Sequence, residues 1–189
     1  TDLYQMQGKI IIDAPIQTGM LKIGPHCLGT QDVLFSRTMW QVAGNLIIKG
    51  HTSFGRGCKI SIGQQAQLTI GKNFTITGKS DIICQKSITF GDNCLLAWDI
   101  LIMDTDFHHI YNLDSIAEGE QINIPKAIII GNHVWIGCRT MILKGVYIGN
   151  ENVIAAGSTI TRSINAENCI IGGNGKCVEI IKKEISWRG

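Results

Sequence analysis

The sequence predicts an all-β chain folded as a solenoid, with short parallel strands wound into a three-sided coil. Three observations carry this. Isoleucine stands at 130, 136, 142, 148, 154 and 160 without a miss, and counting back one step adds Ile124. A helix would repeat near 3.6 residues and a simple strand every second residue, so a period of six fits neither as a continuous element. It fits short strands joined by tight corners, each sending one apolar side chain inward. The chain also holds 22 glycines against 3 prolines, and glycine supplies the left-handed backbone that repeated corners need. Finally, modest side chains (Val134, Thr140, Val146, Asn152 and Ser158) fall on the fourth position after each inward isoleucine, where little room remains beside a corner.

Taken in order, residues 1–44 form a preface and the first coils. KIIIDAP at 9–15 is strand-like, MLKIG at 20–24 is the candidate first lattice strand, and 31–42 is less regular, with Phe35, Arg37 and Trp40. Residues 45–171 form the main β-helix. Its inward positions are Ile48, Phe54 and Ile60, then Ile62, Ile70, Ile76 and Ile82, then Phe90, Leu96 and Ile102. The steps of eight at 62–70 and 82–90 predict two-residue bulges at corners. The lattice breaks over 103–123, where MDTDFHHIYNLDSIAEGEQIN is polar, acidic and histidine-bearing, and it resumes at Ile124. A glycine turn (GGNGK, 172–176) leads to a short terminal strand or helix within 178–187, so 172–189 is a turn and tail of one single domain. Three six-residue units make one triangular coil, and coils stack at about 4.8 Å.

Composition narrows the function classes. A net charge of +2 over 189 residues lacks the concentrated basic stripe that nucleic acid requires. Apolar runs are too short to span a membrane, and residues 1–15 show no secretory h-region. The seven cysteines (Cys27, Cys58, Cys84, Cys94, Cys138, Cys169, Cys177) are odd in number and form no CxxC. They read as reduced core thiols of a cytoplasmic protein rather than as a disulfide or zinc framework.

The run VWIG (134–137), GVYIG (145–149), VIAAGSTIT (153–161) and GGNGKC (172–177) resembles the hexapeptide-repeat acyltransferases. Within them it is similar to the maltose, galactoside and nodulation-factor O-acetyltransferases and their relatives that acetylate capsule or lipopolysaccharide sugars. The resemblance covers roughly 45–187. It implies a left-handed coil, an exception to the right-handed crossover rule, and a homotrimer with its active sites between subunits. It also implies acetyl-CoA as acyl donor, no metal, and direct transfer to a sugar hydroxyl in a ternary complex. The proline of the family's GGxPAK turn is Gly175 here, its alanine is Lys176, and the final basic residue is Cys177.

Transfer from a thioester to a hydroxyl needs a base, and histidine titrates in the right range. The resemblance places the base in the DTDFHH loop, at His108 or its neighbour His109. Asp104 and Asp106 either orient the imidazole, bind sugar hydroxyls or cap the loop. For coenzyme A the resemblance points to Trp135, Cys138, Ala156, Thr161 and Arg162 as one wall of a groove. Lys176, Lys182 or Lys183 replace the missing basic contact to its phosphates. For the acceptor it points to the region of Lys79, Ser80 and Asp81. Trp98, one turn before the histidine loop, either stacks on a sugar ring or packs in the core or an interface. His133 reads as surface or groove lining.

Three other readings compete. A zinc enzyme of the γ-carbonic anhydrase type needs two histidines five residues apart, and position 138, five after His133, is cysteine. A non-catalytic β-helix module would have no use for the polar histidine loop. A sugar-nucleotide N-acyltransferase would take an amine in place of a hydroxyl.

Overall fold

A computed structural model describes residues 2–25, 28–29, 31–113 and 120–189. Cys27 and residues 114–119 of the polar insertion lie outside the described residues. The strands stack into three sheets that form the faces of a prism. Face A holds Asp2–Leu3, Met39–Val42, Lys59–Ile62, Asp81–Cys84, Leu101–Met103, Met141–Leu143 and Thr159–Ile160. Face B holds Lys9–Ile12, Asn45–Ile48, Gln67–Ile70, Ser87–Phe90, Ile128–Ile130 and Tyr147–Ile148. Face C holds Leu21–Ile23, Thr52–Phe54, Phe74–Gly78, Leu95–Trp98, Trp135–Ile136, Val153–Ile154 and Ile170–Gly172, and Glu179–Lys182 adds to it antiparallel. The chain visits A, B and C in turn. Residues 1–44 join the same stack, since Ile10 pairs with Leu46 and Ile12 with Ile48.

Register turns the isoleucine period into ladders. On face A, Ile60, Ile82, Ile102, Ile142 and Ile160 stand in register from coil to coil. On face C, Leu96, Ile136, Ile154 and Ile171 do the same. All are buried, and each buried aliphatic side chain contributes roughly 1.5–3 kcal/mol. In the N-terminal half the interior is aromatic. Trp40 meets Phe54 at 5.1 Å between ring centroids, Phe54 meets Phe74 at 5.8 Å, and Phe74 meets Phe90 at 4.8 Å.

Two expectations are corrected. The steps of eight are not corner bulges. They arise because strands such as Asp81–Cys84 are long enough to send two side chains inward, here Ile82 and Cys84. Ile124 is not part of the lattice: it is half exposed on the returning arm of the insertion, and the stack resumes at Ile128–Ile130.

The corner residues Val134, Thr140, Val146, Asn152 and Ser158 are all buried. Asn152 shows why a polar side chain fits there. Its amide donates to the carbonyls of Gly149 and Ala166 at 3.0 and 2.6 Å, and its oxygen accepts from the Cys169 N–H at 3.0 Å. The B-to-C corners are turned mainly by side-chain-bearing residues. Asn73, Asn93, His133, Glu151 and Asn168 all have φ between 51 and 59°, a region that asparagine enters more readily than most residues. The C-terminal end of the prism closes where Asn174 bridges to Thr159, the 3-10 turn Gly175–Cys177 follows, and Val178 is buried.

The six described cysteines are free thiols. Cys58, Cys84, Cys94 and Cys169 are buried, Cys138 is half-buried and Cys177 is exposed, so the last departs from the core expectation. Burial pushes the Cys58 and Cys94 thiols up to about 11 and Cys84 to about 12.

The insertion leaves the prism at an A-to-B corner, and Asp104 seals the point of departure. Its fully buried carboxylate accepts the backbone N–H groups of Gln85, Lys86 and Ser87 in the coil above at 2.6, 2.8 and 2.8 Å. The Cys84 thiol adds a weak donor at 3.7 Å. This carboxylate serves the corner amides, while the strands on either side keep their partners in the next coil.

Two stability outcomes follow from this packing. Phe74→Ala, in the middle of the aromatic column, is expected to cost about 3–5 kcal/mol in urea denaturation. Asp104→Ala removes the shared acceptor of three partly buried N–H groups and is expected to cost about 1.5–3 kcal/mol in the same measurement, with Asp104→Asn intermediate because one acceptor oxygen remains.

Candidate active site

The polar insertion is held by a few side chains at its base. Asn123 is buried. Its amide nitrogen donates to Asp106 Oδ2 at 3.0 Å and to the His108 carbonyl at 2.7 Å, and its oxygen accepts the Ile110 N–H at 2.8 Å. Lys144, at the same corner one coil on, reaches up to Asp106 Oδ2 and to the Asn123 carbonyl at 3.0 Å. The Lys144 ammonium, with the Asn123 amide, holds the Asp106 carboxyl below the usual carboxylate range. Further out, Tyr111 bridges antiparallel to Gln121, and the Ile122 N–H donates to the Ile110 carbonyl at 2.9 Å. The loop is thus a clamped extension of the A-to-B edge.

The two histidines differ within this frame. His109 Nδ1 lies 3.3 Å from the Tyr111 hydroxyl, with the rings edge-on. The His108 imidazole is exposed and makes no hydrogen bond among the described residues. Its backbone is fixed by Asn123 and by its own N–H on the Asp106 carbonyl at 2.6 Å. Phe107 before it is strained, at φ 59°. Neither aspartate reaches an imidazole: Asp104 is spent on the corner and Asp106 on Lys144 and Asn123. The orienting role for either acid is therefore corrected to holding the loop.

The groove-wall residues do not share one wall in a single chain. Trp135 points outward from face C, half exposed. Cys138 and Ala156 lie one coil apart at C-to-A corners. With Gly157 at φ 74° and open space around it, the backbone there is reachable by a ligand. Thr161 and Arg162 instead lie at the A-to-B corner, the edge that also carries the histidine loop. The face A strands Met141–Leu143 and Thr159–Ile160 separate the two edges. Arg162 donates from Nη2 to the Val178 carbonyl, which ties it to the closing turn. Lys176 on that turn and Lys182 at the end of the antiparallel strand are exposed.

On the acceptor side, Ser80 is corrected. It is buried, its hydroxyl donates to the Gly78 carbonyl at 2.9 Å and accepts from the Ile100 N–H at 3.2 Å, so it serves the corner and not a ligand. Asp81 faces outward, 3.7 Å from Lys59 Nζ. Trp98 is 37% exposed at the end of its face C strand.

Sequence reading missed Asn123, Lys144, Glu151 and Trp187. The first two carry no spacing signal. Glu151 does: it follows His133 by 18 residues, three six-residue steps, and its carboxylate lies 2.5 Å from His133 Nδ1. Trp187 stacks on the His133 ring at 4.1 Å and 11°. Among the described residues no three His, Cys, Asp or Glu side chains converge as metal ligands, and no helix is long and apolar enough to cross a membrane.

Residues 127–162 match the family model for the bacterial transferase hexapeptide (six repeats). Over 144 residues the chain is 34% identical to the polysialic acid O-acetyltransferase of Escherichia coli O1:K1 / APEC, an alignment spanning 76% of this chain and 42% of that relative. The chain thus spans less than half of that curated relative's length. The solved structure of the polysialic acid O-acetyltransferase OatWY matches with a TM-score of 0.60 at 25% identity, over 96% of this chain and 92% of that one. Galactoside acetyltransferase, solved in complex with coenzyme A, matches with a TM-score of 0.54 at 29% identity, over 68% of this chain and 60% of that one. The prism is therefore a left-handed parallel β-helix of hexapeptide repeats, and the chain is similar to acetyltransferases built on that fold.

Proposed function

We propose that the protein is an acetyl-CoA-dependent O-acetyltransferase that acts in the cytoplasm on a sugar hydroxyl of a cell-surface polysaccharide precursor, as a homotrimer. The carrying observation is the placement of His108 on the A-to-B edge and of the open backbone at Cys138 and Ala156 on the C-to-A edge. One chain keeps the base and the donor-binding corner apart, and packing of the edge of one copy against the next brings them together. An outward apolar strip on face A (Leu101, Met103, Met141, Leu143) suits such packing, and closed cyclic symmetry covers it on every copy. The sugar O-acetyltransferases among the relatives, and the coenzyme A bound in one of them, support the same reading.

In this reading His108, fixed through its backbone by Asn123, takes the proton of the acceptor hydroxyl. The oxygen attacks the thioester carbonyl, the C–S bond breaks, and the imidazolium returns its proton to the departing thiolate. Small side chains at Cys138 and Ala156 let the pantetheine arm pair with backbone amides. Arg162, Lys176 and Lys182, grouped toward the C-terminal end, meet its phosphates.

With acetyl-CoA and sugar acceptors, thiol release is expected to fall by about 10²- to 10⁴-fold in His108→Ala and by under about tenfold in His109→Ala. Unchanged transfer by His108→Ala would sink the assignment. Light scattering is expected to give three chains. Mixed trimers of inactive His108→Ala and inactive Ala156→Trp chains are expected to regain activity, because some sites then draw an intact half from each. No recovery on mixing would place the whole site in one chain.

A further inference from the structure

A second feature lies on face C, away from the histidine loop. Two grooves of about 360 and 380 Å³ share Asn73 and Thr75 and so form one trough. Its floor is an outward ladder in strand register, Lys22, Ser53, Thr75 and Leu95, one residue per coil, and Trp135 continues the ladder past the two grooves. At about 4.8 Å per coil the ladder runs roughly 19 Å along the prism axis. Its rim is the B-to-C corner, with His51, Asn73, Asn93 and His133 in succession. Asn73 donates to the Asn93 side-chain oxygen at 3.0 Å, and His51 meets Gln17 at 3.2 Å. At the far end stands Trp187, whose Nε1 donates to the His133 carbonyl at 3.0 Å and whose ring lies 6.0 Å from that of Trp135.

The first groove is lined by hydroxyl, amide, imidazole and ammonium groups around Met20 and Phe74, and the second adds Cys94, Leu95 and the Trp187 ring to its amides and imidazole. The Ser53 hydroxyl oxygen, in the middle of the first groove, is shielded and has no hydrogen-bond partner among the described residues. Polar atoms so placed in native proteins are usually satisfied, so a ligand hydroxyl is a natural partner. The spacing adds a second constraint. On the rim one polar side chain recurs per coil (His51, Asn73, Asn93, His133), a repeat close to the length of one pyranose in an extended chain. The trough ends where the Trp187 ring meets that of Trp135.

We infer that this trough binds an extended oligosaccharide, the part of the acceptor chain beyond the sugar that is modified. The inference rests on the proposed sugar O-acetyltransferase reading for its link to transfer, but the binding itself does not depend on catalysis. The trough selects chains over single sugars because each further unit meets the polar rim side chain of another coil, with Ser53 and Thr75 beneath the first units and Leu95 beneath the next.

Binding to the full chain is measured by titration calorimetry without acetyl-CoA, using oligosialic acids and galacto-oligosaccharides of one to six units as probes. Affinity in one series is expected to rise at least tenfold from one unit to four. Thr75→Tyr, which fills the shared centre, is expected to abolish that rise. Ser53→Ala, too small a change to unfold the protein, is expected to weaken the longer chains about fivefold, the loss of one hydrogen bond. Length-independent binding in both series, or a length dependence that ignores both substitutions, overturns the inference. Length-dependent binding without any acetyl transfer keeps the trough and removes the proposed activity. Transfer whose acceptor KM is indifferent to chain length keeps the activity and removes the trough.

Discussion

Everything in this protein depends on the coil-to-coil register of parallel strands. Each inward side chain packs on its counterpart one coil away, so a coil can gain or lose residues only where it does not disturb that stack. Strand length can change, as in Asp81–Cys84, provided both inward residues find partners: Ile82 meets Ile60 and Ile102, and Cys84 meets Ile62. Corners can change by emitting a loop. The insertion after Met103 does so, and the strands on either side still pair, Leu101 with Met141 and Met103 with Leu143. The cost appears at the corner itself, where the amides of Gln85, Lys86 and Ser87 in the coil above face the point at which the chain departs. Asp104 supplies a carboxylate in that place. The loop that carries the candidate base thus exists because an acid beside it is turned inward.

Register also decides what a single chain can bring together. Residues separated by multiples of about one coil stack along one edge or face, and residues a third of a coil apart lie on different edges. His108, Lys144 and Arg162 fall on one edge, Cys138 and Ala156 on another, and His133 and Glu151 on the third. A straight prism has no fold of its own that could close one edge onto another. Chemistry that needs two edges therefore needs two prisms, while chemistry that runs along the axis, as in the face C trough, fits on one.

The isoleucine period made the prism, its ladders and its buried corner residues legible, because burial of one side chain per strand is what the sequence repeats. The site was legible only in part. The loop stood out as polar residues interrupting an apolar lattice. The roles within it did not, since a carboxylate in a histidine loop looks the same in sequence whether it faces an imidazole or a backbone amide. Asp104 and Ser80 were misread for one reason: each is a short polar side chain at a corner, where satisfying the backbone competes with meeting a ligand. Ile124 continued the period by coincidence, on an arm that has left the stack. The split of Arg162 from Cys138 was hidden because nearness in sequence suggests a shared wall, and in a triangular coil a few residues are enough to turn onto the next face.

The C-terminal tail obeys a different balance from the prism beneath it. After Glu179–Lys182 it runs back along the B-to-C edge. It is held by the Ile185 N–H on the Asn168 carbonyl at 3.0 Å, by Trp187 Nε1 on the His133 carbonyl, and by the stack of Trp187 on His133. Contacts of these kinds contribute about 1 kcal/mol each, whereas an inward ladder residue contributes more and cannot leave without its neighbours. Glu151 raises the tail's hold indirectly, since its carboxylate fixes the imidazole on which the indole rests. The same ring lies 6.0 Å from that of Trp135, so whatever orders the tail also orders that side chain. Geometry that must be kept is built into the stack, and the end of the trough, where a long acceptor would have to be admitted, is closed by a few contacts on the edge.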